Sequence, residues 1–208
     1  MLALALLALV LVGPGQARAD GPRAVQPGDR LSGQWRADMD SMRDYLTSVL
    51  EPIGGHCLSI HGSMIYGFRT TGDPRLHAME HSVAGTTVTI KRQRARGTRS
   101  DTVVFLYSGS YSAPLTVRAG ERILETSRNP DFSNFFVEGF SVNGVFVGEM
   151  DFDLTGLSQA FGGNVMRYEF VGDNTLRLTP IFPPSPDGVP IHPRPFILHR
   201  LSHDPDRR

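Results

Sequence analysis

The spacing of apolar positions along the chain changes once. Within Asp38–Leu50, Met39, Met42, Leu46, Val49 and Leu50 form one stripe at helical spacing, and Pro52-Ile53-Gly54-Gly55 ends the predicted helix. Beyond it the period is two. Leu58, Ile60, Met64, Tyr66 and Phe68 alternate with Ser59, His61, Ser63, Ile65 and Gly67, the pattern of a half-buried strand. Thr86–Gln93 and Thr102–Ser112 pair as a hairpin, with Val103, Phe105, Tyr107 and Tyr111 on one face of the second strand. Shorter strands are predicted at Leu115–Arg118, Arg122–Ser127, Phe135–Val142 and Val145–Met150. Asn143-Gly144 between the last two is a two-residue hairpin turn. Val165–Val171 and Thr175–Ile181 flank Gly172-Asp173-Asn174, and Phe196–Leu201 is the last strand. Ten or so short sequential strands with one helix build a sandwich or an up-and-down barrel. No internal repeat and no dividing linker are visible, so a single domain is expected.

The start of the chain reads as an address. Leu2–Val12 is an unbroken apolar run followed by Gly13-Pro14-Gly15 and Ala17-Arg18-Ala19. It is shorter than the about 20 residues a spanning helix needs, and the A-x-A site that follows marks a cleaved secretory signal over 1–19. The positive n-region is missing apart from the terminal amine, which points to a start further upstream. A polar arm follows over 20–30, then the folded domain over 31–201 and a polar tail over 202–208. A secreted or periplasmic protein without a transmembrane segment is expected. Export disfavours ATP- or NAD-dependent chemistry, and no Walker-type or dinucleotide-binding glycine motif occurs. No cofactor is expected.

Composition narrows the classes. The 208 residues are 40% hydrophobic and carry no formal net charge, which excludes a disordered chain and argues against nucleic acid as a partner. Gly 22 and Pro 15 agree with many turns. Lys91 is the one lysine among 21 basic residues, a bias of coding rather than of guanidinium chemistry. One cysteine, Cys57, excludes an internal disulfide framework.

Three places decide between sandwich and barrel: Gly33-Gln34-Trp35 at the start of the fold, Arg200 in Phe196-Ile197-Leu198-His199-Arg200-Leu201 at its end, and a middle section. That section comprises Phe105-Leu106-Tyr107-Ser108-Gly109-Ser110-Tyr111, Asn129-Pro130, and Tyr168-Glu169-Phe170-Val171-Gly172-Asp173-Asn174-Thr175-Leu176-Arg177-Leu178. In this order they resemble the bacterial lipocalin-like domain family, of calycin type, over about Leu31 to Leu201. The resemblance implies a mainly β fold: a single antiparallel up-and-down β-barrel of about 8–10 strands with one N-terminal helix. It further implies that Trp35 closes one end, with Arg200 packed across its ring, a cation–π contact worth about 0.5–2 kcal/mol. The helix-containing insertion after Trp35 and the proline-rich stretch Pro183–Pro195 depart from the pattern and suit either lids at a barrel mouth or a different β fold.

If Arg200 faces inwards, alternation turns Leu198 and Phe196 inwards and His199 outwards. The candidate ligand-binding wall is then Met64, Tyr66, Phe68, Phe105, Tyr107, Tyr111, Met166, Tyr168, Phe170, Phe196 and Leu198. Apolar faces with tyrosine hydroxyls among them suit a small hydrophobic molecule bearing one or two polar groups. The same residues also suit a filled barrel that acts through its surface, or an isomerase, cyclase or hydrolase using the cavity. A buried carboxylate or histidine hydrogen-bonded to a tyrosine would favour the enzyme.

Other constellations compete. His56, His61, His77 and His81 lie close in sequence, His77 and His81 at a spacing that shares a helix face, with Met64 and Met79 nearby as copper-type ligands. Gly72-Asp73-Pro74 marks a loop instead, and Glu80 falls at the fourth position rather than that of an H-E-x-x-H motif, so no metal is expected. His56 beside Cys57 suggests a base and a nucleophile. Glu125, Glu138 and Glu169 are candidate acid–base groups, although alternation turns Glu169 outwards. No G-x-S-x-G is present. The run Lys91–Arg99 lies between two strands, either as a solvated hairpin tip or as a weak contact for an anionic surface.

Overall fold

The computed structural model describes residues 30–70, 77–93, 100–126, 130–148, 165–182 and 191–202. Ten strands run in chain order: β1 (Gly33–Ala37), β2 (Gly55–Arg69), β3 (Ala78–Gln93), β4 (Ser100–Arg118), β5 (Ile123–Thr126), β6 (Asp131–Val142), β7 (Val145–Gly148), β8 (Val165–Phe170), β9 (Thr175–Pro180) and β10 (Phe196–Ser202). The helix α1 (Met39–Leu50) follows β1. The sheet order is β3-β2-β1-β10-β9-β8-β5-β4-β6-β7, and β4 also pairs with β3. That extra pairing closes an eight-stranded antiparallel barrel, and the β6–β7 hairpin branches from it. One edge of β4 pairs with β3, while the other pairs first with β6 and, from Leu115 onwards, with β5.

Two predicted strands, Thr102–Ser112 and Leu115–Arg118, are therefore one. Pro114 sits opposite Ala78, at the end of the β3 pairing and at the point where β4 changes partner. The predicted strand Thr86–Gln93 is the second half of β3. Its first half escapes an alternation count for two reasons. Inward position 81 is a histidine, and a register shift between Val83 and Thr86 breaks the period. A similar shift between Cys57 and Ser59 turns Cys57 inwards and leaves Leu58 on the surface, reversing the expected place of Leu58.

Two glycines lie beside the shift between Val83 and Thr86. Gly109 of β4 has φ 93°, and a Cβ there would come within 1.9 Å of the Asn134 carbonyl oxygen on β6. At Gly62 of β2, with φ 110°, a Cβ would come within 2.7 Å of the Thr86 Cα on β3. Glycine at both positions lets neighbouring strands approach where the sheet curves.

Helix α1 begins at an Asp38 cap, whose carboxylate accepts from the Ser41 N–H at 2.8 Å. The Ser41 hydroxyl accepts from the Ile197 N–H at 2.9 Å and so ties the helix to β10. On β2 the Cys57 N–H donates to Thr47 Oγ1 at 3.2 Å. Residues 191–195 are held to the same helix, the Arg194 N–H donating to Ser48 Oγ at 2.8 Å. Met42, Tyr45, Leu46, Val49 and Leu50 complete the barrel core.

Candidate functional site

One end of the barrel is plugged as the G-x-W and the final-strand arginine imply. Trp35 is fully buried, and its indole N–H donates to the Leu31 carbonyl at 2.8 Å. The Arg200 guanidinium lies 4.1 Å from the indole centroid. It donates to the carbonyls of Ser32 at 3.0 Å, Asp173 at 3.3 Å and Arg30. The Gly172-Asp173 turn and the last strand, far apart in sequence, thus meet through main-chain acceptors. Arg30 extends the closure, 4.5 Å over the Phe170 ring and 3.1 Å from the Asp173 carboxylate.

Inside the plug, one rung of paired positions runs around the wall: Arg200 opposite Trp35, Trp35 opposite Tyr66, Tyr66 opposite His81, and His81 opposite Tyr111. The His81 ring stacks on Tyr66, centroids 4.3 Å apart at 17°, and meets Tyr111 edge-on at 5.1 Å and 88°. Phe196 touches both Tyr66 (5.8 Å) and Tyr45 of α1 (5.2 Å), bringing the helix against the rung from the end opposite Trp35.

Neither ring nitrogen of His81 has a hydrogen-bond partner among the described residues, and the same holds for the Tyr168 hydroxyl. Burial holds the His81 imidazole down at about 4, so it is neutral at pH 7. Burial raises Tyr66, Tyr45 and Tyr111, the last to about 12. The hydroxyls also lie near enough that an ionised Tyr111 opposes ionisation of Tyr66 and Tyr45. All three are phenols, and hence hydrogen-bond donors, at neutral pH. No Asp, Glu, Lys or Arg is among the buried side chains of the described residues.

The expected wall residues lie together. Met64, Tyr66, Phe68, Met166, Tyr168, Phe196 and Leu198 belong to the buried core, with Phe105, Tyr107, Tyr111 and Phe170 packed half-buried against it. His199 faces solvent, as the alternation requires. Two residues of this site lie outside the expected wall. Tyr45 falls on the apolar stripe of α1, three residues after Met42, and its helical spacing was the available signal. His81 was grouped with metal candidates on a helical spacing, whereas β3 presents it to the interior.

The competing constellations come apart. His56 and His61 are exposed on β2, while His81 is buried on β3. No group of three His, Cys, Asp or Glu is placed to hold a metal among the described residues. His56 and Cys57 face opposite sides of their strand, and burial pushes the Cys57 thiol up to about 11, far from a thiolate. Glu125, Glu138 and Glu169 are all on the surface, Glu125 and Glu169 paired with Arg118 and Arg177 and Glu138 with the Ser108 hydroxyl. The segments 1–29 and 94–99, Asn129 and residues 183–190 lie outside the described residues. The leader, most of the basic run and the first eight residues of the proline-rich stretch fall there.

The chain matches no family model, no curated protein and no solved structure. The closed antiparallel barrel is compatible with a calycin-like fold. No helix among the described residues is long and apolar enough to cross a membrane.

Proposed function

We propose that this chain is an exported, lipocalin-like barrel that binds a small, mostly hydrophobic molecule in its interior and does not transform it. The observation carrying this reading is the polar rung of Tyr66, His81 and Tyr111 set in an apolar wall behind the Trp35 plug. Sites for small apolar ligands have this make-up: mainly hydrophobic and aromatic lining with a few polar groups that orient the ligand. The closed end favours entry from the other side, where α1 and residues 191–195 lie together.

The enzymatic reading draws on the same histidine but lacks the partners that acid–base work needs. His81 stacks on Tyr66 rather than hydrogen-bonding to it, and Glu125, Glu138 and Glu169 all face solvent. A general base needs a group that holds or receives its proton. Binding is therefore the better-supported function.

Native mass spectrometry of the protein purified from the periplasm of an exporting host tests this. A retained mass adduct, lost on unfolding and extractable into organic solvent, is expected. Only apo-protein from that source, with no uptake when a neutral fluorescent probe such as N-phenyl-1-naphthylamine is added, overturns it in favour of a filled barrel.

A further inference from the structure

We propose that the interior ligand is an uncharged molecule with a hydroxyl head, and that His81 is the group that selects it. This rests on the binding function proposed above and adds the chemical class of the ligand.

The argument begins with an unmet requirement. Buried polar atoms in folded proteins nearly always have a partner, yet both nitrogens of the His81 ring are buried without one among the described residues. Its ring faces are occupied instead, by the stack on Tyr66 and the edge contact with Tyr111. What remains is the in-plane edge of the imidazole, one N–H donor and one bare nitrogen acceptor. A hydroxyl is both donor and acceptor, so it pairs with whichever nitrogen it meets, in either tautomer. An ether or ketone can only accept and so uses the N–H alone, and an alkane pairs with neither nitrogen.

Charge is excluded by the surroundings. The groups facing His81 are Tyr66 on β2, Tyr111 on β4, and Met79 and Val83 on its own strand. Tyr45 reaches the same tyrosine cluster from α1. None of these is charged at neutral pH. Arg200, the cation of the same rung, spends its guanidinium on the Trp35 face and on main-chain carbonyls at the plug. A carboxylate head would thus be buried without a cation, which is strongly unfavourable.

The test is displacement of N-phenyl-1-naphthylamine from the full chain at pH 7.5 by three ligands of similar length: decan-1-ol, undecane and decanoate. Decan-1-ol is expected to bind about tenfold tighter than undecane, the value of one hydrogen bond to a buried group, and tighter than decanoate by a larger factor. His81→Phe, which keeps an aromatic ring on Tyr66, should lose the preference for alcohol over alkane. A second measurement needs no variant: the side-chain nitrogen resonances of His81 should move on adding decan-1-ol and stay in place on adding undecane. Equal affinity for alcohol and decanoate, or an alcohol preference that survives His81→Phe, overturns the proposal while leaving interior binding intact. If the probe does not bind at all, the binding function itself fails, and this inference fails with it.

Discussion

Acid should unfold this protein partly through one histidine. His81 is buried in the barrel with its imidazole held at about 4, below the ordinary 6.5. Above pH 6.5 neither the folded nor the unfolded chain binds the proton, and His81 adds no pH dependence. Between 6.5 and 4 the unfolded chain binds it and the folded chain does not, so stability falls as the pH falls. Below 4 both states carry it and this contribution to the slope ends. At about 1.4 kcal/mol for each pH unit, the loss across the window comes to about 3 kcal/mol. That is a large share of the about 5–15 kcal/mol by which domains are usually stable.

Carboxylates also titrate in acid, so the measurement must be a difference. Urea unfolding followed by the fluorescence of Trp35, the one tryptophan, at pH 7.5, 6, 5 and 4 gives the stability of the wild type and of His81→Phe. The tyrosines around His81 stay protonated throughout this range, and the substitution keeps the ring contact with Tyr66. The difference in unfolding free energy between variant and wild type should grow by about 3 kcal/mol in favour of the variant between pH 7.5 and 4. A difference that is flat with pH would refute the placement of a neutral, unpaired histidine in the interior.

Three further perturbations test other parts of the structure. Trp35→Ala removes a fully buried indole from the plug and leaves Arg200 without its ring; a loss of about 3–5 kcal/mol is expected, and an unchanged melting temperature would remove the basis for closure. Gly109→Ala places a methyl group on the Asn134 carbonyl at a positive φ, so hydrogen exchange should rise across β6 and β7 while β8–β10 stay protected. Equal protection of all strands would argue against the bend at β4. Tyr168→Phe deletes a buried hydroxyl that has no partner among the described residues; thermal unfolding should show unchanged or raised stability, by up to about 1 kcal/mol, and a marked loss would mean that the hydroxyl is bonded in solution.

Period-two alternation made the barrel legible because most inward positions are plainly apolar. On β8, β9 and β10, Met166, Tyr168, Leu176, Leu178, Phe196 and Leu198 follow it without interruption. It failed where the chain bends. The register shifts near Cys57 and Val83 move the apolar set by one residue, and a one-residue slip exchanges the two faces. Leu58 was assigned inwards for that reason, and the first half of β3 went unseen. Closure at the plug was legible through Trp35 and Arg200, since the chemistry of a cation on an indole is specific. That the Asp173 main-chain carbonyl accepts from the Arg200 guanidinium was not, because main-chain acceptors carry no signature in the side-chain sequence. Nor could alternation reveal that β4 serves three partners and that the β6–β7 hairpin branches off, which is a property of pairing.

His81 also bears on the choice between a filled barrel and a binding one. A barrel selected only for stability gains from an apolar residue at an inward position between Met79 and Val83, where a histidine brings two buried nitrogens without partners among the described residues and a liability in acid. Leaving a buried polar group unpaired costs about 1–3 kcal/mol, and natural sequences tend to break local rules of this kind at functional sites. His81 places that cost on the rung it shares with Tyr66 and Tyr111, beside a plug whose own polar groups are satisfied. The contrast within one barrel, a fully bonded closure next to an unbonded polar centre, is what stability alone does not account for and what a ligand with a hydrogen-bonding head would.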